Sequence, residues 1–330
     1  MKLVKFGISV LAIGFGATLA QTSHVLVSNL GFEFQRLNNC GPVTAKMALS
    51  LSGVAVSQPQ AAAALKGSYS DRNVTTPELA SYFQANGLKT IRRWLVTPEL
   101  VRRLVKANFP VVLHQQQKPN SDIGHFRVAY GYDTKSILFG DSMFGAKFRL
   151  TDREFGMVSR AYNGEYLIAY RSEQMAALQK ILGRNWNKTT NLENLALNSR
   201  QRLKTAPSDS FAWWGLGQSL LYQDAAKSAA NAFSKANALG LPAKQYWYQH
   251  DAFVAWNRTG MYQQTIRVAA AALKGYPNSR EINGFYAHAL EQVGQYKKAL
   301  AAWQAAYKED PRSSQVEAAI LRLSRKIQKS

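Results

Sequence analysis

The sequence predicts an α+β domain followed by an all-α domain of helical repeats. Apolar residues recur at helical spacing through residues 41–108, the period shortens to that of strands between Phe109 and Tyr170, and a unit of about 34 residues recurs beyond residue 198. A chain of 330 residues that is 46% hydrophobic and 18% charged suits two globular domains and excludes disorder, collagen or coiled coil as the main architecture.

Residues 1–20 have the layout of a secretory signal. Lys2 and Lys5 precede an apolar run from Phe6 to Leu19, and small residues close it at Ala17 and Ala20. At about 14 residues the run falls short of the ~20 that span a bilayer, so cleavage after Ala20 and export to the periplasm or the exterior are expected. The single cysteine, Cys40, leaves no partner for an internal disulfide and no cysteine-rich zinc site.

Residues 21–172 form the expected α+β domain. A helix is predicted over 41–53, with Pro42 in its first turn, Val43, Met47 and Leu51 on one face and Gly53 as its stop. Cys40 therefore sits at a helix N-terminus. Two more helices open at Thr76-Pro77-Glu78 and Thr97-Pro98-Glu99, where the threonine caps, the proline fits the first turn and the glutamate suits the positive helix end. Residues 110–114, 125–132, 136–140 and 165–170 read as strands of an antiparallel sheet. Residues 173–198 are a polar, partly helical connector. In residues 199–330, Gly294, Tyr296, Ala299, Trp303, Ala306 and Pro311 repeat Gly260, Tyr262, Thr265, Ala269, Ala272 and Pro277, and an earlier unit carries Trp213, Leu216, Gly217, Ala229, Phe233 and Ala236. This spacing resembles the tetratricopeptide repeat (TPR), in about three units with a C-terminal capping helix near residues 315–327.

A thiol at a helix N-terminus feels the positive end of the helix dipole, which favours the nucleophilic thiolate. Nucleophilic catalysis also needs an imidazole and an acceptor to orient it. Of five histidines, His24 and His114 are possible and His250 and His288 lie in the repeats. His125 is best placed, because Gly124-His125 opens a strand after a polar loop. Asp141 follows the next strand, and the short turn at Asp133-Thr134-Lys135 brings the start of one strand beside the end of the other. No His-Glu-x-x-His motif occurs, so no metal or other cofactor is expected.

Gln35, Cys40-Gly41-Pro42, Gly124-His125 and Asp141 together resemble the papain-like cysteine peptidases of the bacteriocin-processing, double-glycine-leader family and its stand-alone relatives. The resemblance covers about residues 30 to 172 and implies Cys40 as nucleophile, His125 as general base and acid, Asp141 as the residue orienting the imidazole, and Gln35 as a side-chain donor to the oxyanion. With the signal-like N-terminus and the repeats, the expectation is an exported cysteine peptidase whose TPR module binds a peptide or protein. The alternative is a catalytically inactive papain-like binding protein whose repeat groove recognises a partner.

The net charge is +21, of which +8 falls in residues 21–172 and +11 in residues 173–330. Acidic peptides or an anionic envelope surface are therefore the expected company. The tryptophans and tyrosines of the repeats fall at helix-packing positions, so nucleic acid is not an expected partner.

Overall fold

A computed structural model describes residues 25–242 and 244–329. The expected signal segment and His24 lie outside the described residues. After a short strand β1 (Val25–Leu26) come α1 (Cys40–Leu51), α2 (Gln58–Leu65), α3 (Thr76–Ala85), β2 (Lys89–Arg93) and α4 (Pro98–Lys106). Then follow β3 (Val111–Gln116), β4 (Gly124–Tyr132), β5 (Ser136–Asp141), β6 (Gly145–Thr151), α5 (Asp152–Ser159) and β7 (Tyr166–Tyr170). The strands form one antiparallel sheet in the order β2-β7-β3-β4-β5-β6, with β1 added beside β4.

Capping sets the helix starts. Thr97 caps α4 as expected, its side chain accepting from Leu100 N at 3.1 Å. The cap of α3 is Thr75, one residue before Thr76, because Thr75 is the residue with extended backbone and a reciprocal bond to Glu78. The alanine-rich α2 and the charged β2 (Lys-Thr-Ile-Arg-Arg) carry weak periodicity and do not stand out in the sequence; β6, which alternates Ala146, Phe148 and Leu150 inward with exposed Lys147, Arg149 and Thr151, and α5 are likewise not among the expected elements.

The connector is helical. In α6 (Met175–Leu182), Leu178 and Leu182 join the core of the first domain. Next, α7 (Lys188–Thr205) packs Leu192 and Leu195 on Trp94, and Asn191 bonds both the N–H and the C=O of Trp94 at 3.0 and 3.1 Å.

Three helix pairs follow: α8 (Ser210–Tyr222) with α9 (Ala226–Ala238), α10 and α11 (Gln245–Tyr248, Asp251–Arg258) with α12 (Tyr262–Leu273), and α13 (Arg280–Gln292) with α14 (Tyr296–Glu309). The capping helix is α15 (Ser314–Gln328). These are TPR-like repeats. Gly260 and Gly294, one period apart, both turn the chain at φ +75° and +76°, a conformation that favours glycine. In the middle pair the first helix is broken: Gln249 is extended at φ −132°, ψ 116°, which separates α10 from α11.

The repeats pack against the α+β domain. Tyr222 packs on Trp94 with centroids 5.3 Å apart and the rings tilted by 38°, and Arg280 pairs with Glu78 at 2.9 Å. Arg72 N donates to the Tyr276 hydroxyl at 2.6 Å, while the Arg312 guanidinium donates to Ala63 O at 2.9 Å.

Candidate active site

Cys40 is the first residue of α1, partly exposed at the mouth of a cleft. One turn later, Thr44 Oγ1 donates to Phe126 O at 3.1 Å and fixes α1 on β4 beside His125. Strands β4 and β5 run antiparallel, so the start of one, His125, meets the end of the other, Asp141. The His125 Nε2 lies 3.0 Å from Asp141 Oδ1, and Cys40 adjoins the same imidazole in one cleft. Asp141 Oδ1 also accepts the N–H groups of Met143 and Phe144 at 2.8 and 3.0 Å.

Burial works against the Cys40 thiolate. The hydrogen bond and charge of His125, with backbone bonds at Phe126 and Gly41, outweigh it and bring the thiol below its ordinary value. For His125, burial alone lowers basicity, but Asp141 and Cys40 raise it above the ordinary value. Asp141 is desolvated too, yet His125 and Arg127 hold its carboxyl well below the usual range. All three shifts favour a thiolate–imidazolium pair oriented by a carboxylate.

Residues 18–166 match the Peptidase_C39 like family. The C39-like domain is thus followed by TPR-like helices. Among solved structures, a C39-like peptidase from Bacillus anthracis is 16% identical over 45% of this chain and 98% of its own, with a TM-score of 0.37. A double glycine motif protease from an AMS/PCAT transporter, in complex with its leader peptide, is 21% identical over 42% of this chain and 89% of its own, with a TM-score of 0.34. YrrB, a TPR protein with an unusual peptide-binding site, is 16% identical over 47% of this chain and 75% of its own, with a TM-score of 0.39. No curated protein matches the chain.

His114 sits apart from this site. It pairs with Phe126 across β3 and β4, which places both on the sheet face opposite His125. There it stacks on Phe126, meets the tilted ring of Tyr162 and lies 3.4 Å from Glu165, which Arg92 and His114 hold at a pKa of about 2 against its own burial. Gln35 lines the same cleft as Cys40 and His125. Its Oε1 accepts from Ser142 Oγ at 2.7 Å and its N–H donates to Ser142 O at 3.0 Å, which leaves Nε2 as its remaining donor.

Sequence reasoning missed three residues of the C39-like domain. Arg127, with no exposed side-chain surface, donates from Nε to Asp141 Oδ2 and from Nη1 to Gln116 O at 3.1 Å. A fully charged residue two places after His125 in an otherwise buried strand is the signal that marks it, since i and i+2 share a face. Gln58, wholly buried, accepts from Arg36 N at 2.7 Å and from Asn39 Nδ2 at 3.0 Å, and donates to Glu33 Oε1 and Phe34 O. It pins the loop carrying Gln35. Lys66 Nζ bonds Asn39 Oδ1 at 3.1 Å, just ahead of Cys40.

The cleft measures about 450 Å³. Among the described residues no group of three or more His, Cys, Asp or Glu side chains is arranged to hold a metal, and no helix is long and apolar enough to cross a membrane.

Proposed function

We propose that the protein is a cysteine-type peptidase that works by acyl transfer through Cys40. His125 takes the thiol proton and the sulfur attacks the scissile carbonyl carbon. The oxyanion forms beside the Cys40 N–H, one of the orphan donors of the α1 N-terminus, and the Gln35 Nε2. Collapse expels the amine with the proton from His125. Water, deprotonated by His125, then resolves the thioester, while Asp141 keeps the imidazole in register. No cofactor enters. The observation that carries this reading is the juxtaposition of Cys40 and His125 in one cleft, with His125 Nε2 3.0 Å from Asp141 Oδ1.

We assign the TPR module to peptide or protein recognition and place the protein outside the cytoplasm, where the residue 1–20 pattern would send it. An anionic envelope surface suits its charge. Mass spectrometry of exported peptides from cells carrying the wild type or Cys40→Ala tests the proposal: substrates left uncut only in the variant are expected, and identical peptide termini would refute it.

A further inference from the structure

One residue of the repeat domain, Tyr248, lines the cleft at Cys40. It is the last residue of α10 before the break, and its ring packs on Gly124, the residue before His125. A Cβ at Gly124 would lie 2.9 Å from that ring and 2.3 Å from the Tyr162 hydroxyl, so only glycine permits this approach. Beside Tyr248 stands Arg72, a residue of the α+β domain held by the repeats. Its Nη1 donates to Gly275 O at 2.8 Å, and its guanidinium lies over the rings of Trp247 and Tyr276, 5.7 and 5.2 Å from their centroids. It remains exposed, with its other N–H groups available to the cleft.

The lining has a definite character. Besides the Cys40–His125 pair, Arg36 and Arg72 are its charged residues and no carboxylate is among the lining side chains, while Phe34, Leu37, Ile123, Met143 and Tyr248 supply apolar surface. Phe34 and Leu37 are more than 60% exposed without a cover, at 62% and 63%.

We propose that Tyr248 and Arg72 form a composite specificity wall, and that the cleft takes a peptide with an apolar side chain against Tyr248 and an acidic residue against Arg72. This rests on Cys40 being the nucleophile. A guanidinium immobilised by a carbonyl and two aromatic faces has lost its rotamer freedom beforehand, so it binds a carboxylate at little further entropic cost.

Because Cys40 is the sole thiol, small alkylating reagents report on the cleft without any known substrate. Rates at Cys40 are measured on the purified protein with iodoacetamide, the anionic iodoacetate and the aromatic N-benzyl-iodoacetamide, each divided by its rate with free cysteine. With Arg72 adding a fixed positive charge to those of His125 and Arg36, the iodoacetate-to-iodoacetamide ratio is expected to exceed that of free cysteine by about tenfold and to fall severalfold in Arg72→Gln, with Arg72→Lys intermediate. Tyr248→Ala is expected to remove the preference for the benzyl reagent and Tyr248→Phe to keep it. Ratios in the variants equal to those of the wild type would overturn the composite wall. A wild-type Cys40 that reacts with iodoacetamide no faster than free cysteine would instead overturn the nucleophile assignment, an outcome read from the absolute rate and so distinct from the ratios.

Discussion

Arg127 and Asp141 are joined through Nε and Oδ2 in an ion pair with no exposed side-chain surface on either partner. The pair sits directly behind His125, so the carboxylate that orients the imidazole is itself oriented by a guanidinium two residues along the same strand. Arg127 acts through Asp141 and is a positioning residue. Its positive charge lowers the basicity of His125, and its attraction to the Cys40 thiolate favours that anion.

Arg127→Leu is therefore expected to move both limbs of the pH–rate profile of Cys40 chemistry upward, besides costing about 3–5 kcal/mol for a buried charge left alone. Alkylation rate against pH checks it. A variant that loses stability with its limbs unmoved would leave Arg127 a purely structural role.

Cys40 is expected to react with iodoacetamide at about pH 6 at least tenfold faster than free cysteine, whose thiol is mostly protonated there. His125→Ala should erase that advantage. Asp141→Asn, which also takes the carboxylate from the buried Arg127 and so costs stability, should lower peptidase turnover of the remaining folded protein by about 10²–10⁴-fold, since the imidazole is then held in the wrong tautomer. Stopped-flow alkylation and peptide hydrolysis read the two effects.

Glu309 and Asp71 meet at the domain interface around the Tyr276 hydroxyl, which lies 3.2 Å from Asp71 Oδ1. Burial first, and then the charge of Asp71, pushes Glu309 up to about 8. Asp71 is raised by its burial and by Glu281, with Lys66 opposing. Glu309 in the folded protein thus keeps a proton that the unfolded chain gives up near its ordinary value of 4.5. Its stabilisation is complete below that value and is lost as pH rises through about 8. Between about pH 5 and about pH 9 the wild type is expected to lose on the order of 1–3 kcal/mol relative to Glu309→Gln, measured by urea unfolding.

Gly67 touches the same interface from the other side. A Cβ there would lie 2.5 Å from Asp310 Cβ and 2.8 Å from Glu309 O, where backbone must shift to make room. Gly67→Ala is expected to cost about 1–3 kcal/mol and to speed amide exchange in α14, measured by hydrogen–deuterium exchange.

Local pattern determined much of this protein. Helical and strand periods, caps and turn residues depend on neighbours in the chain, so α1, α4 and β3–β5 stand close to where the sequence puts them, and the recurrence of Gly260 at Gly294 announces stacked helix pairs. Even the meeting of His125 and Asp141 was legible, because two consecutive strands joined by a short turn leave one arrangement. Elements with little amphipathic contrast, α2 and β2 among them, were not. What only the tertiary structure decided are pairings between residues far apart in the chain: Gln58 on the loop of Gln35, Tyr248 on Gly124, and Arg72 on Tyr276 at 204 positions' distance. Such contacts are selected by how whole layers pack, which no window of sequence contains. For the same reason the face on which a histidine lies becomes definite only with the strand register, and that register sets His125 toward Cys40 and turns His114 to Glu165.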